Sequence, residues 1–355
     1  MPFFAATFLR LPLRLLVFLT LLISANLGLG QVLEIDFYNV ENLFDAEDDT
    51  LTFDDDYTPK GRQRWTSRHV EQKINQLAQV IAAMAPHTSS GFPVLLGLAE
   101  VENYLLLEQL TAHPLLRNAA YAIIHFDSPD PRGIDVALLY QPDYFLPTQF
   151  KKYPLFLKNP KTQNQLYTRD QLLVSGLLAG EEITVSVNHW PSRRGGQATS
   201  APLRMTAARL QQRLMDSLYR IDPLAKIVVM GDFNDNPDDQ SLLLLQTHTA
   251  DSETFRPLTN PFLDKHKKGM GSLAFRDRWF LFDQVLISPA WMPPSGDYSL
   301  KKHVFLIRIG YTHLADVIKT TPTTPKKEAA FSGGIPTIFL YCYRSKTLKI
   351  SGQLL

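Results

Sequence analysis

The sequence predicts a mixed α/β domain in which two mainly antiparallel sheets pack face to face, with helices outside. Apolar runs of strand length recur in pairs across short turns, and few helical periodicities separate them, which excludes a simple doubly wound parallel sheet. The chain has 355 residues, 45% of them hydrophobic, enough for one large core.

Residues 1–30 stand apart. Arg10 and Arg14 precede the apolar run 15–23, and Gly28 and Gly30 set small residues ahead of Gln31. This pattern describes a secretory signal peptide cleaved near Gly30. An uncleaved anchor is the other reading, although the run is short for a spanning helix. The mature chain is therefore expected to be secreted or periplasmic, without a transmembrane span.

Residues 32–40 alternate as a strand, and 45–56 form an acidic loop. Val70, Ile74, Leu77, Val80, Ile81 and Met84 recur at helical spacing, predicting a helix over 67–85. A strand run at 92–99 precedes a short helix at 105–110. Residues 121–126 and 134–140 read as a strand pair around a Pro- and Gly-containing turn, and 172–178 and 183–188 as another pair turning at Gly180. A helix follows over 203–219, then strands at 227–230 and 279–287, with a further helix starting after Pro237. No repeat or low-complexity segment occurs.

The net charge of +1 argues against a global polyanion binder, so any attraction to phosphate must be local. Cys342 is the only cysteine, which rules out a disulfide framework within the chain.

Polar groups concentrate where strand runs end. The run Ile227-Val-Val-Met breaks at Gly231 and delivers Asp232 and Asn234 into a turn. A carboxylate there can activate water, and the amide can hold an anionic oxygen. A lone Asp or Asn in such a place is usually a turn or capping residue. Here four more segments end similarly: Phe37-Tyr-Asn39-Val-Glu-Asn, Gly97-Leu-Ala-Glu100-Val-Glu102-Asn, Val187-Asn-His189-Trp190-Pro-Ser and Phe282-Asp283-Gln-Val-Leu-Ile-Ser288.

In this order the segments resemble the signature of the endonuclease/exonuclease/phosphatase superfamily, magnesium-dependent phosphoester hydrolases, and in particular its secreted bacterial endonuclease-like branch. The resemblance implies a four-layered α/β sandwich. It also implies Glu100 as the direct Mg2+ ligand assisted by Asn39, with Mn2+ or Ca2+ as substitutes. Asp232 would orient or deprotonate water, Asn234 would hold the scissile phosphate, and His189 would contact phosphate. Arg193 and Arg194, on a glycine-flexed loop, suit phosphate forks, against the reading of a solvated basic loop. Arg132 is either a substrate contact or a turn residue. His69, His87, His113 and His313 carry no motif context.

Asp283 sits in an apolar run and needs a partner. In the superfamily that partner is the histidine of a closing Gly-Gly-Tyr-Ser-Asp-His-Phe-Pro-Val. This chain instead reads Gly333-Gly334-Ile335-Pro-Thr-Ile-Phe-Leu-Tyr341. The genetic code connects the two: GGT ATT CCG ACC ATT TTC CTG TAT encodes residues 334–341, and read from its third base it gives Tyr-Ser-Asp-His-Phe-Pro-Val. One base lost near the codons of Gly333 and Gly334 accounts for the difference; a divergent tail is the alternative. The expected organisation is a signal peptide at 1–30, one catalytic domain at 31–341 and an out-of-frame tail at 342–355.

The expected function is metal-dependent hydrolysis of phosphodiesters by a monomeric, secreted endonuclease acting on nucleic acid, weakened by the missing motif. A phosphatase or phospholipase-type esterase acting on another phosphoester is the alternative within the superfamily. A non-catalytic binding protein that keeps the fold is the alternative of another class.

Overall fold

The computed structural model describes residues 32–248, 254–275 and 278–292, and the strand backbone of 304–311 and 336–343. The expected signal segment lies outside the described residues, as does the tail beyond Tyr343; Cys342 and Tyr343 are described as backbone alone.

Strands follow in the order β1 (Val32–Leu43), β2 (Leu95–Val101), β3 (Ala122–His125), β4 (Asp135–Tyr140), β5 (Phe145–Tyr153), a small ribbon of β6 (Leu157–Lys158) and β7 (Gln165–Leu166), β8 (Gln171–Leu178), β9 (Glu181–His189) and β10 (Ile227–Asp232). A second ribbon, β11 (Leu273–Phe275) and β12 (Arg278–Phe280), precedes β13 (Asp283–Ile287), β14 (Val304–Tyr311) and β15 (Pro336–Tyr343). One sheet has the order β14-β15-β1-β2-β4-β3 and the other β13-β10-β9-β8-β5. Both are mainly antiparallel, as expected. Among the described strands each contains one parallel pair, β1 with β2 and β9 with β10.

Alternation along the strands builds four layers. Leu33, Ile35 and Phe37 of β1 face the other sheet, meeting Val185 and Val187 of β9 and Val228 and Met230 of β10 in one buried cluster. The opposite face of the first sheet, with Leu96, Leu98 and Leu139, is covered by Ser67–Met84 and Tyr104–Thr111 through Ile74, Leu77, Ile81 and Leu107. The outer face of the second sheet, with Ile227, Val229 and Leu286, is covered by Gln197–Ile221 through Ala207, Met215 and Tyr219. β2, β4 and β10 are apolar on both faces because both faces are covered, whereas β1 and β9 alternate their apolar residues with buried Glu34, Asp36, Thr184, Ser186 and Asn188. Gly97 permits close approach between the sheets: a Cβ there would lie 2.6 Å from Met230 Sδ and 3.2 Å from Phe37 Cδ2. Among the described residues no helix is long and apolar enough to cross a membrane.

The structure departs from the sequence reading in several places, and β14, β15, the ribbon strands β6, β7 and β11 and the helix Phe262–Lys267 fall outside the elements read from the sequence. The 279–287 run is two strands, because the backbone is diverted at Leu281 and Phe282. Their N–H groups donate to Asn236 Oδ1 at 3.0 Å and Ser272 Oγ at 3.2 Å. The 203–219 helix begins earlier, at Gln197, and runs through Pro202. Buried Arg204 fastens that first turn by donating to Ser200 Oγ at 2.9 Å and Gln197 Oε1 at 2.8 Å. β5 was not read as a strand: it is an edge with a mostly exposed middle containing Pro147, Lys151 and Lys152, and carries no apolar alternation.

Candidate active site

The parallel pairs of the two sheets present their C-terminal ends at one place. Asn39 ends the regular part of β1, and Glu100 lies near the end of β2. His189 and Asp232 end β9 and β10 and are direct register partners. Local irregularities aim these groups. The β1–β2 and β2–β4 registers slip around Asn39 and Glu100, and Glu100 itself adopts the left-handed region at φ 67°. A glutamate held there in a bulge stores about 1–3 kcal/mol of backbone strain and re-aims its side chain. Asn234 is also left-handed, at φ 51°, a conformation Asn tolerates well. Gly231, just before Asp232, has no room for a side chain, since a Cβ would lie 2.3 Å from the Asn188 carbonyl oxygen.

The side chains of Glu100, His189 and Asp232 each bring one ligand atom within 4.8 Å of the others. His189 Nε2 lies 3.8 Å from Glu100 Oε1 and 3.9 Å from Asp232 Oδ2. Asn39 Nδ2 donates to the same two carboxylates, at 3.2 Å and 3.0 Å, while its Oδ1 accepts from the Glu41 N–H at 2.9 Å. Asn39 thus acts here as a brace for the acidic pair, with its own oxygen engaged. Asn234 donates its backbone N–H to Asp232 Oδ1 at 2.9 Å and its Nδ2 to the Trp190 carbonyl at 3.0 Å. Asp283 lies opposite Asp232 across β10 and β13. Asn39, Glu100, Asp232, Asn234 and Asp283, with Tyr38, Glu41 and Ser272, line a cleft of about 460 Å³, and buried His189 lies beside Glu100 and Asp232 outside that lining.

Electrostatics follow from this crowding. Burial, opposed by the Asn234 N–H and reinforced by Glu100, pushes the Asp232 carboxyl up to about 6. Burial, then Asp232, pushes Asp283 well above the usual carboxylate range, and its Oδ1 is buried without a hydrogen-bond partner among the described residues. Burial, then Arg169 and Arg132, holds His189 well below its ordinary value, so the imidazole is neutral at pH 7. Oxygen-rich and short of balancing charge, the cleft fits a hard divalent cation held by Glu100 and Asp232.

The folded Asp232 binds its proton more tightly than the unfolded one, so its charging costs stability as pH rises from about 4 through about 6. Chelator-stripped protein should therefore lose on the order of 2 kcal/mol between pH 4 and 7 from this group, recovered by a divalent cation at pH 7. Urea midpoints should show a flatter pH profile and a smaller cation effect in Asp232→Asn. An unchanged pH profile and cation effect in that variant would refute the assignment.

The arginines divide. Arg193 is engaged in the scaffold: its Nε donates to the Asn234 carbonyl at 2.8 Å, and an Nη reaches Asp235 at 3.0 Å and Asp239 at 2.6 Å. Its guanidinium also lies over Phe282, 4.6 Å from the ring centre. That arrangement clamps the Asn234 turn and spends the fork expected for phosphate. Arg194 is exposed on the same loop. Arg132 is 36% exposed beside Asp130, with its charge felt at His189.

Sequence reasoning missed Arg169. Its buried guanidinium donates to the carbonyls of His189 at 3.2 Å and Trp190 at 2.6 Å and pairs with Asp130 at 2.8 Å, fixing the His189 loop from behind. Its only signal is polar: Thr168, Arg169 and Asp170 precede β8 and are all buried.

A family model described as endonuclease/exonuclease/phosphatase family matches residues 34–305. The chain belongs to that family. Its members hydrolyse phosphoester bonds and generally depend on divalent metals. The fold is similar to the human Nocturnin catalytic domain, with a TM-score of 0.50 and 13% identity over 89% of this chain and 96% of that one. It is also similar to an endonuclease/exonuclease/phosphatase from Bacteroides vulgatus, with a TM-score of 0.51 and 13% identity over 87% and 98%. At such identities the likeness is one of fold. No curated protein matches the chain.

Proposed function

We propose that this member of the endonuclease/exonuclease/phosphatase family is a Mg2+-dependent phosphodiesterase, acting first on nucleic acid. The convergence of Glu100, His189 and Asp232, each with a ligand atom within 4.8 Å of the others, carries the reading. Glu100 would hold the cation with Asp232 beside it, and Asn39 would position both carboxylates. A bound Mg2+ would supply positive charge to the phosphoryl oxygens. Asp232, when charged, accepts a proton from water or fixes its orientation. Neutral His189 and the Asn234 amide provide hydrogen bonds to phosphoryl oxygens as negative charge grows. Arg132 and Arg194 lie on loops and would steer the phosphate-bearing substrate. We read the protein as a monomer.

A phosphatase or phospholipase-type esterase is the second reading, favoured by the small cleft and by the net charge of +1. Hydrolysis of plasmid DNA, RNA, a lipid phosphodiester and a sugar monophosphate, each with and without Mg2+, discriminates the readings. Cleavage of nucleic acid only with Mg2+ is expected. Turnover of the monophosphate or lipid alone would transfer the assignment to the second reading, and Mg2+-dependent binding without any turnover would favour a non-catalytic role.

The pattern of residues 1–30 supports export. The mature protein purified from its natural host should begin at or near Gln31 on N-terminal sequencing; an exported form that retains Met1 or Pro2 would contradict cleavage.

A further inference from the structure

The helix Ser67–Met84 covers the outer face of the first sheet through Val70, Ile74, Leu77 and Ile81, and among these apolar residues it also buries Lys73, which is 7% exposed. A lysine beside an apolar face ordinarily lays its stem along the surface and keeps its ammonium in water. Here the ammonium turns inward, and Nζ donates to the Glu41 carbonyl oxygen at 3.1 Å. Packing of the helix does not explain the choice, since an apolar residue would fill that position without desolvating a charge.

The carbonyl that Lys73 holds belongs to the irregular end of β1. Glu41 and Asn42 are consecutive non-glycine residues in the left-handed region, at φ 53° and φ 64°, and the β1–β2 register slips between Asn39 and Leu43. Such a conformation persists only where its surroundings over-determine it. Glu41 is held at both ends of its backbone: its N–H donates to Asn39 Oδ1 at 2.9 Å, and its carbonyl accepts from Lys73. Asn39 in turn donates to Glu100 and Asp232. A chain of hydrogen bonds thus runs from Lys73 through Glu41 and Asn39 to the two carboxylates. The Lys73 charge also faces this group: burial lowers its pKa, and Glu41, then Glu100, oppose that shift. Arg169 has the same relation to the second sheet, where its buried guanidinium holds the carbonyls of His189 and Trp190.

We propose that Lys73 is a positioning residue of the cation site: it pins the left-handed turn at Glu41 and Asn42 and so keeps Asn39 against Glu100 and Asp232. The inference rests on the cation role proposed for Glu100, and it gives Lys73 no contact with substrate or ion. Two opposite effects separate this role from its rivals. If Lys73 served the fold, an apolar residue of similar length in its place would lower stability. A buried charge kept for the site can instead be exchanged for methionine with no loss of stability, or with a gain. If Lys73 mattered only as background charge, its removal would tighten cation binding, because a positive charge near Glu100 repels the ion. Lost positioning weakens binding while the fold holds.

The test uses the full chain, stripped of metal and titrated with Mn2+ by calorimetry, with urea midpoints and phosphodiester turnover measured alongside. Lys73→Met should match or exceed the parent's urea midpoint and bind Mn2+ about tenfold more weakly. Its turnover at saturating Mn2+ should fall about 10- to 100-fold, the usual consequence of a group displaced in a site. Lys73→Arg, which keeps a charged donor, should lie nearer the parent in both binding and turnover. Calorimetry stands apart from turnover: a parent that binds Mn2+ and hydrolyses no phosphoester would sink the hydrolytic reading, and Lys73 would then be judged on Mn2+ affinity alone. A lower urea midpoint in Lys73→Met, Mn2+ bound by that variant as tightly as by the parent or more tightly, or a parent that binds no Mn2+ would overturn the proposal.

Discussion

Glu100→Gln and Asp232→Asn should each lower turnover of a phosphodiester by about 10³-fold, or about 4 kcal/mol of transition-state stabilisation, with KM changed little. Both substitutions keep shape and remove charge. On the proposed roles, Glu100→Gln would weaken the cation's hold on the cleft, and Asp232→Asn would remove the proton acceptor while leaving the Asn234 N–H an oxygen to bind. The losses should fall on kcat because charge on the phosphoryl group and on water develops only as the bond breaks. The two variants share a brace, Asn39, which donates to both carboxylates. Their effects should therefore combine less than additively, and the double variant should be little slower than either single one. Rates at saturating Mg2+ decide the point. Turnover within about tenfold of the parent in either variant would remove that residue from the chemistry.

Much of this site was legible in the sequence because its groups sit at strand ends. A run such as Ile227-Val-Val-Met is unmistakably a buried strand, and polar residues that follow it at once must emerge at the sheet edge, where a cleft can form. Asn39, Glu100, His189 and Asp232 all belong to that class. What alternation cannot show is which strand ends meet. Here the two parallel pairs bring them together, and pairing across 193 residues of chain, as between Asn39 and Asp232, leaves no local trace. Arg193 shows the converse limit. Its loop context suits a phosphate fork, but Asp235 and Asp239 lie within its reach only once the following turn has folded.

Rewriting residues 335–343 as Tyr-Ser-Asp-His-Phe-Pro-Val-Leu-Leu, the shifted reading of the same codons, should raise turnover by about 10³-fold. The reason lies in Asp283. It faces Asp232 across two adjacent strands, two acids in register. Its Oδ1 is buried without a hydrogen-bond partner among the described residues, and burial holds the group well above its usual range. A buried carboxylate so placed calls for a donor, and an imidazole N–H would supply one, charge the acid and align the ring for proton transfer. β15 enters the sheet alongside β1, with Thr337 opposite Asp36, so the chain preceding it leads toward the Asn39 end of the cleft. The Ser-Asp-His would occupy positions 336–338, alongside residues 35–37 in the present register, so meeting Asp283 requires β15 to shift a few residues toward the Asn39 end. The rewritten chain should gain stability as well as rate, and His→Ala within the new motif should cancel the gain in rate. Sequencing the native gene provides the independent check: codons that read Tyr-Ser-Asp-His-Phe-Pro-Val one frame over are expected. Codons that do not, or a rewritten chain no faster than this one on any phosphoester, would establish the tail as the protein's own.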